Sequence, residues 1–276
     1  MNLVTWNTQW CCGIDRVVSP QRIAEGARKL ADFDVLCLQE ISINYPGLLG
    51  NPGHDQVAIL RGLLPGFQFF FGAAVDEFTG DGQRRQFGNL VATRLPVTQV
   101  QHYPLPYPAD GGVRSMPRMC TVVTLRDPQL GPLRVMTTHL EFYSKPQRVA
   151  QAQALRDLHL QARAQATAPP ECSEDGSPFQ SKVHTPEAIL CGDFNLEPSD
   201  PGYAVVRETF HDAWRLAHGD KPHTPTFHVH DSTYSPVPAA CDFVFVSDGL
   251  KDKVKSLRID SDTQASDHQP VAVEFG

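Results

Sequence analysis

The feature that most constrains the fold of this chain is a short apolar run over residues 188–191 that stops at Gly192. An apolar run of this length, bounded by a turn signal, predicts a buried strand. Asp193 and Asn195 follow directly, and residues two apart in extended backbone point to the same side. We therefore expect a carboxylate and a carboxamide to share one face at the end of a core strand. An ordinary Asp/Asn turn after a strand is the competing interpretation.

Similar apolar runs recur from the first residues onward. Residues 3–7 and 34–40 predict two strands that each end on a polar side chain, Asn7 and Glu40, with a helix over 19–31 between them. Ser19-Pro20 is a good helix start, because serine caps the first turn and proline is tolerated at the first helical position. A strand, a helix and a strand in close succession favour a parallel or mixed sheet with helices on its outer face.

The rest of the chain continues this alternation of elements. Further strands are predicted over 67–74, 88–94, 119–125, 133–140, 241–246 and 271–275, and further helices over 58–64, 146–166 and 204–217. Polar stretches containing Gly, Pro or Ser predict loops over 76–85, 103–117 and 168–186, and long loops in compact domains are often functional. Neither an internal repeat nor a composition break divides the chain, so we expect a single domain over residues 1–276.

Composition and charge limit the classes of protein to which this chain can belong. The chain has 276 residues, of which 41% are hydrophobic and 20% charged, as in an ordinary globular protein. No stretch approaches the ~18 consecutive apolar residues of a membrane span. The N-terminus has no basic segment followed by an apolar one, so we expect no signal peptide and a cytoplasmic location. The formal charge of −7 argues against a broad electrostatic grip on nucleic acid, although a local basic patch is compatible with it.

The seven cysteines show no CxxC pair and no Cys/His spacing of the zinc type. Four of them lie in or beside apolar runs, where a free cysteine behaves as a small hydrophobe. These four are Cys37, Cys120, Cys191 and Cys241. We therefore expect a reducing compartment and no structural metal.

Polar residues stand at the ends of several predicted strands or in the adjoining loops. They are Asn7, Glu40, His139, Asp193 with Asn195, Asp242, and Asp267 with His268. Each has an ordinary structural explanation: Glu40 as a solvated strand end, His139 as a core histidine, and Asp267-His268 as a turn. An α/β sheet can gather the ends of its strands at one edge, so we expect these side chains to meet in one site.

These motifs resemble, in order and approximate spacing, those of the endonuclease/exonuclease/phosphatase superfamily. They are Trp6-Asn7, Leu38-Gln39-Glu40, Gly88-Asn89 with Arg94, Thr138-His139-Leu140, Gly192-Asp193-Phe194-Asn195, Asp242-Phe243 and Ser266-Asp267-His268. The resemblance extends from residue 4 to residue 275. It implies a four-layer α/β sandwich, in which two mixed β-sheets pack face to face with helices on the outside. It also implies hydrolysis of phosphate esters that depends on Mg2+, or on Mn2+ in its place.

The resemblance further implies a metal site. Glu40 is implied as the principal ligand with Asn7 close by, and Asp267 as a further ligand, in keeping with the preference of Mg2+ for hard oxygen ligands. One position departs from the pattern: some nuclease relatives carry an aspartate two residues after the first-strand asparagine, where this chain has Gln9. The departure argues against a second tight metal position but leaves the main one.

Catalytic roles are implied for five residues. Asp193 is implied as the group that orients and deprotonates the attacking water, and Asn195 as a group that holds that water or a phosphate oxygen. Asp242 is implied as the partner that orients His268, whose imidazole then donates to a non-bridging oxygen. His139 is implied in a similar role near the leaving group.

The substrate-binding side is less defined by the motifs. Arg118 occupies a place where relatives often carry a phosphate-contacting basic residue, with an exposed loop arginine as the alternative, and Asn7 also faces the substrate. The partner implied is a phosphate ester: a nucleic acid, a phospholipid headgroup or a small phosphodiester, chosen by the loops at 76–86, 103–117 and 220–238. Basic residues available to contact a nucleic-acid backbone are Arg84, Arg85, Arg94, Arg114, Lys145 and Arg148. No membrane span and no protein partner is evident.

A binding module that keeps the fold but has lost catalysis is the alternative function from a different class. It is favoured by a missing site residue, and none of the central ones is missing here.

Overall fold

The computed structural model describes residues 1–231, 233 and 237–276. Within them, twelve strands form two six-stranded mixed sheets. The first sheet contains β1 (Asn2–Asn7), β2 (Val35–Ile43), β3 (Gln68–Phe78), β4 (Arg84–Thr93), β11 (Val254–Ile259) and β12 (Val271–Phe275). The second contains β5 (Val97–Pro104), β6 (Met119–Asp127), β7 (Gly131–His139), β8 (Ala188–Asp193), β9 (His211–Asp212) and β10 (Asp242–Val246). Their orders are β11-β12-β1-β2-β4-β3 and β5-β6-β7-β8-β10-β9.

The helices begin at side-chain caps that the sequence supplies. They are α1 (Pro20–Leu30), α2 (Gln56–Leu63), α3 (Lys145–Thr167), α4 (Pro201–Arg207) and α5 (Ala213–His218), with a 3₁₀ helix over Asp248–Lys253. Ser19 accepts a hydrogen bond from the backbone N–H of Arg22 at the start of α1, and Ser144 accepts one from Gln147 at the start of α3. None of the helices in the described residues is long and apolar enough to cross a lipid bilayer.

Alternation along the strands builds three apolar layers. In β1, Leu3 packs in the cluster between the two sheets, whereas Val4 and Trp6 pack on the opposite face with Ile23 of α1. A third cluster joins the outer face of the second sheet to α3 and α4. Because successive side chains in a strand point to opposite faces, each sheet covers the central layer with one face and carries helices on the other. This arrangement confirms the predicted four-layer α/β sandwich.

The strands predicted over 119–125 and 133–140 are confirmed, and they form a hairpin in which β6 and β7 pair antiparallel from Cys120↔Thr138 to Asp127↔Gly131. The predicted strand over 34–40 continues beyond Glu40 to Ile43, so the prediction that it ends on the carboxylate is wrong. Its pairing with β4 shifts between Leu38 and Ile41, and Glu40 has a φ of +59°. The reason is a β-bulge, which reverses the direction of one side chain without ending the strand.

Three other predictions of element boundaries are wrong. Half of the loop predicted over 76–85 is strand, because ion pairs such as Arg84–Asp76 stabilise the polar ends of β3 and β4. The loop predicted from residue 103 begins later, since Tyr103 and Pro104 end the edge strand β5, where a proline is tolerated. The helix predicted over 204–217 is two helices separated by β9, because α4 ends at Arg207 and Asp212 caps a new helix, α5.

Two elements had no sequence signal strong enough to predict them, β11 and most of β5. Both lie at edges of their sheets, where exposed polar residues interrupt the apolar pattern. The predicted loop over 168–186 holds only an isolated bridge between Ser173 and Gln180. Of the substrate loop predicted over 220–238, residues 232 and 234–236 lie outside the described residues.

Candidate active site

A cavity of about 370 Å³ opens where both sheets present the ends of their central strands. Strand register explains why distant residues meet there. His139 at the end of β7 is level with Asp193 on parallel β8, and Asp193 is level with Asp242 on antiparallel β10. In the first sheet, Asn7 is level with Gln39, the residue before Glu40. The predicted residues that line this cavity are Glu40, Arg118, His139, Asp193, Asn195, Asp267 and His268. Asn7 and Asp242 contact these residues from behind.

Gly192 allows β8 to approach β7 closely enough to place Asp193. Its φ is +135°, and a Cβ there would lie 2.0 Å from the Thr138 carbonyl oxygen, so a residue with a side chain does not fit. Asp193 is 1% exposed. Its Oδ1 accepts the Asn195 backbone N–H at 2.9 Å, and its Oδ2 accepts the Asn7 Nδ2–H at 2.8 Å. The carboxylate is therefore held in one orientation by donors from both sheets.

Asn195 holds His139 in its neutral form. The Asn195 Nδ2 lies 2.9 Å from His139 Nε2 and donates to the Leu140 carbonyl at 2.9 Å. Since an amide nitrogen only donates, His139 Nε2 accepts, and the ring carries its proton on Nδ1. Burial lowers the pKa of His139 well below its ordinary value, and the charge of Arg118 lowers it further. The same Nε2 is 3.3 Å from Asp193 Oδ2.

His268 is the opposite case, an imidazole stabilised in its charged form. Its Nδ1 lies 2.8 Å from Asp242 Oδ2, which also accepts a 2.6 Å hydrogen bond from the Thr226 hydroxyl. Burial alone would lower the pKa of His268, but the charges of Asp242 and Asp193 outweigh it and raise the pKa well above the ordinary value. Its Nε2 is 3.7 Å from Asp193 Oδ2. The two histidines of the cavity thus differ in charge.

Glu40 and Asp267 form a carboxylate pair held by amides. Asn7 Nδ2 donates to Glu40 Oε1 at 3.1 Å, and Gln9 Nε2 donates to Asp267 Oδ2 at 2.8 Å. Burial and then the charge of Asp267 raise the pKa of Glu40 to about 7, and burial also raises the pKa of Asp267. Carboxylates destabilised in this way, with oxygen as the donor atom, fit a hard divalent cation. The Asn7 amide oxygen accepts the Gln9 backbone N–H at 3.1 Å, so Asn7 presents its nitrogen to the acids.

A strained turn places Gln9 beside Asp267. Gln9, Trp10 and Cys11 have φ values of +47°, +45° and +59°, and the Cys12 N–H closes the turn on the Gln9 carbonyl at 2.8 Å. Consecutive left-handed residues other than glycine are costly, and such strain clusters at functional sites. Sequence reasoning located Gln9 but had no signal for this turn.

Arg118 and Glu141 form a buried ion pair on the other side of the cavity. Arg118 is 6% exposed and Glu141 is fully buried, and Arg118 Nε donates to Glu141 Oε2 at 3.1 Å. The interpretation of Arg118 as an exposed loop arginine is therefore wrong. Its Nη1 has no hydrogen-bond partner among the described residues and Arg118 lines the cavity, so the guanidinium retains a donor that can bind an anion. Sequence reasoning missed Glu141, although an acid two residues after His139 was a visible signal.

Helix α3 holds the segment that carries Glu141. Arg148 is 5% exposed, and its Nη1 donates to the carbonyls of Glu141 and Phe142 at 2.8 Å each. Gln151 Oε1 accepts the Glu141 backbone N–H at 2.9 Å. These buried polar side chains anchor the backbone behind Arg118. Sequence reasoning treated Arg148 as a residue for contacting nucleic acid, whereas the structure places it behind the site.

The mouth of the cavity is aromatic. Phe142 and Tyr143 are 40% and 49% exposed and pack edge to face with ring centroids 4.8 Å apart. The Arg114 guanidinium lies over the Tyr143 ring at 5.6 Å. Phe227 stacks against His268 with centroids 4.4 Å apart. Exposed aromatic side chains grouped around a polar cavity are typical of a ligand site.

A two-sheet α/β sandwich whose strand ends gather acids, imidazoles and a buried arginine around one cavity has the architecture of a phosphoesterase. The chain belongs to the endonuclease/exonuclease/phosphatase family, whose sequence profile matches residues 4–268. Members of this family hydrolyse phosphate esters and generally depend on a divalent metal ion.

Solved structures with the same fold cover the whole chain. An endonuclease/exonuclease/phosphatase from Beutenbergia cavernae DSM 12333 is 25% identical, with a TM-score of 0.69 over 100% of this chain and 72% of that chain. Truncated Caenorhabditis elegans TDP2 is 21% identical, with a TM-score of 0.67 over 100% and 97%. The mannosyl-6-phosphatase Bt3783 of Bacteroides thetaiotaomicron VPI-5482 is 19% identical, with a TM-score of 0.68 over 100% and 99%. The last two likenesses show the fold alone. Comparison with curated proteins found no match.

Proposed function

We propose that this protein hydrolyses a small phosphate ester, with Mg2+ or Mn2+ as the metal and water as the nucleophile. The observation that carries the proposal is the placement of Glu40, Asp193, His268 and Arg118 around one cavity. These residues come from both sheets and span most of the chain. No single group accelerates phosphate-ester hydrolysis sufficiently, so base, metal ligands and anion donors have to act together.

The metal belongs at the carboxylate pair Glu40 and Asp267, with Asn7 orienting Glu40 through its amide nitrogen. The fit rests on the donor set and on the raised pKa of Glu40, since a cation would restore the charged form of both acids. Bound there, the ion supplies Lewis-acid stabilisation to a phosphoryl oxygen and a template for the substrate.

Asp193 is the general base. Each of its oxygens accepts one hydrogen bond, from Asn195 N–H and from Asn7 Nδ2–H, and a carboxylate oxygen retains a further lone pair for water. Asn195 orients Asp193 through its backbone N–H and His139 through its side-chain amide. Asp193 lines the cavity, and a general base acts from within hydrogen-bond reach of the proton that it removes.

Positive groups face the substrate from two sides. His268, charged because Asp242 holds its Nδ1, donates to a non-bridging oxygen. Arg118 offers its unpartnered Nη1 to another. His139 is neutral and its Nε2 accepts from Asn195, so we assign it a place near the leaving group, where Nε2 donates only after it has gained a proton. Preorganised donors of this kind each contribute about 10²–10³-fold to rate.

A compact ester is favoured over an extended nucleic acid because most of the basic residues identified in the sequence are occupied. Arg84, Arg85 and Arg94 form ion pairs with Asp76, Glu77 and Asp32 at 2.6, 3.2 and 2.9 Å, and Arg148 is buried behind the site. An arginine that is paired with a carboxylate adds little net positive charge to the surface, and binding along a nucleic-acid backbone depends on such charge. The aromatic mouth remains available to a substrate with an apolar or ring-bearing group.

Parallel assays on a substrate panel test the proposal. The panel contains p-nitrophenyl phosphate, bis-p-nitrophenyl phosphate, a nicked plasmid and a choline phospholipid, each with Mg2+, Mn2+ or EDTA. We expect metal-dependent turnover of one or both small esters, and turnover lower by about 10²–10⁴-fold in Asp193→Asn. Absence of metal-dependent turnover on every substrate contradicts the proposal and favours the silent binding module. Turnover of the plasmid alone contradicts the choice of substrate.

A further inference from the structure

Cys241 lies directly behind the charged imidazole of the site. It precedes β10 and is 4% exposed. Its Sγ is 4.0 Å from His268 Nδ1 and 3.6 Å from Asp242 Oδ2. On the cavity side of the ring, Asp193 Oδ2 is 3.7 Å from His268 Nε2. Ligand atoms of Asp193, Cys241 and His268 all lie within 4.8 Å of one another, so sulfur, nitrogen and oxygen donors converge around one imidazole.

A second observation indicates unused ligand capacity at this point. Asp242 is 6% exposed, and its Oδ1 is buried with no hydrogen-bond partner among the described residues. Buried carboxylate oxygens are normally satisfied, so this carboxylate has capacity for a further contact. Its other oxygen, Oδ2, lies 3.6 Å from Cys241 Sγ and 2.8 Å from His268 Nδ1, which places the carboxylate beside the cysteine and the histidine.

The donor set selects a different class of cation from Glu40 and Asp267. Mg2+ takes oxygen ligands and retains waters, whereas thiolate and imidazole favour Zn2+ and related soft cations. Ideal zinc bond lengths of about 2.0–2.3 Å place neighbouring ligand atoms of a tetrahedron roughly 3.3–3.6 Å apart. The ligand atoms of Asp193, Cys241 and His268 lie within 4.8 Å of one another, so side-chain movements of about an ångström bring them to that geometry.

We propose that Cys241, His268 and Asp193 form a binding site for a thiophilic divalent cation, Zn2+ or Cd2+, with Asp242 as a neighbouring ligand. Binding releases two protons to solvent, one from the Cys241 thiol and one from the charged His268 imidazole, because both groups coordinate a cation in their deprotonated forms. The cation enters from the cavity, which His268 and Asp193 line. Because it occupies both of these groups, it inhibits hydrolysis. The inhibition rests on the proposed function, whereas the binding does not.

Binding of Cd2+ to the whole chain tests the site without any assay of activity. A thiolate-to-cadmium charge-transfer band is titrated in the ultraviolet in the parent, in Cys241→Ala and in two controls. Cys191→Ala removes a fully buried thiol from the adjacent strand, and Cys172→Ala removes an exposed one. We expect one equivalent of Cd2+ fewer, with its share of the band, in Cys241→Ala only. Circular dichroism confirms folding, and Cys241→Val serves as a second variant that fills the space.

Equal Cd2+ stoichiometry and equal bands in the parent and in both Cys241 variants overturn the site. An inhibition assay then separates it from the proposed function. With Mg2+ saturating, Zn2+ should inhibit the parent at a concentration at least about tenfold lower than that needed for Cys241→Ala. Equal inhibition of the two proteins places the inhibitory ion elsewhere and overturns the inhibitory role. A protein that binds Cd2+ through Cys241 but hydrolyses nothing retains the site and loses the proposed function.

Discussion

The two sheets bring unlike groups to the cavity. From the first sheet and its connections come Glu40 and Asp267, which are held by the amides of Asn7 and Gln9; we call this the acid side. From the second sheet and its connections comes Arg118, paired with Glu141; we call this the arginine side. The acid side fits a cation and the arginine side fits an anion. A phosphate ester bound to a metal ion needs both, which explains why the cavity lies between the sheets.

The two sides are also built by different means. The acid side depends on irregular backbone, the bulge at Glu40 and the left-handed turn from Gln9 to Cys11. The arginine side depends on buried side chains of α3, which bond the backbone around Glu141. The backbone strain on the acid side is local. The buried hydrogen bonds on the arginine side instead couple the site to the packing beneath α3. Variants of the two sides should therefore fail in different ways.

The largest expected effect comes from the residue that both sides share. Asp193→Asn removes the proposed general base and keeps an acceptor for only one of the two N–H groups that the carboxylate accepts, those of Asn195 and Asn7. The value of kcat should therefore fall by about 10²–10⁴-fold, whereas the melting temperature should fall only slightly. Steady-state kinetics and calorimetry measure the two quantities. A fall in activity that is matched by unfolding contradicts the assignment.

On the acid side, Glu40→Gln should weaken metal binding rather than folding. An amide oxygen binds Mg2+ less strongly than a carboxylate, and the variant relieves the repulsion from Asp267 that raises the pKa of Glu40. We expect a Mg2+ dissociation constant at least about tenfold higher by calorimetric titration, with unchanged or higher stability. Unchanged affinity for the metal shows that Glu40 is not the principal ligand.

On the arginine side, loss of the buried cation should cost stability. Arg118→Met leaves the fully buried Glu141 charge unpaired, which costs about 3–5 kcal/mol in the free energy of unfolding. The double variant Arg118→Met/Glu141→Gln removes both charges and keeps an amide oxygen for one of the two backbone N–H groups that Glu141 accepts, those of Met116 and Tyr143. It should recover part of that stability but not the binding of inorganic phosphate. Denaturant unfolding and phosphate titration distinguish these outcomes, and recovery of phosphate binding in the double variant contradicts the role of Arg118.

A smaller effect is expected at the positioning residue Arg148. Arg148→Met removes the hydrogen bonds to the Glu141 and Phe142 carbonyls, so KM should rise by roughly tenfold, in line with the 10–100-fold effects of other groups that position a site. The metal dissociation constant should not change, since Arg148 lies on the arginine side. A change in metal affinity instead of KM contradicts the division between the sides.

The smallest effect on activity is expected on the outer face of the second sheet, away from the cavity. His159 is 1% exposed, and its Nδ1 accepts from Arg134 Nη2 at 2.8 Å. Burial and then Arg134 lower the pKa of His159 from 6.5 to about 3. Because the folded pKa is the lower one, the unfolded state binds more protons between these values. Stability is therefore full above pH 6.5 and falls as pH decreases, by up to about 1.4 kcal/mol per pH unit.

Urea unfolding over this pH range measures the effect of His159. His159→Gln keeps an acceptor for Arg134 and should make the slope of stability against pH shallower, whereas the exposed control His54→Gln should leave the slope unchanged. A slope that is the same in all three proteins shows that other groups dominate the acid sensitivity.

Much of the fold followed from local patterns. The apolar run at 188–191, the cap at Ser19 and the alternation in β7 each specify an element through the nearest neighbours in the chain, and the resemblance carried by short motifs supplied the two-sheet arrangement. Boundaries were predicted less well at the β3–β4 connection, because cross-strand ion pairs stabilise polar strand ends that no local apolar pattern reveals. They were also predicted less well at the edge strand β5, where exposed polar residues interrupt the apolar pattern.

The sequence by itself determined which polar residues follow the core strands, since a short apolar run and the turn after it are encoded by adjacent residues. Only the tertiary structure decided how those residues are paired. The bulge that turns Glu40 into the cavity, the partnership of Arg118 with Glu141 and the position of Cys241 behind His268 depend on strand register and on contacts between segments far apart in the chain. Such contacts form only when the sheets pack, so the charge of each group and the cation that it accepts are properties of the folded protein.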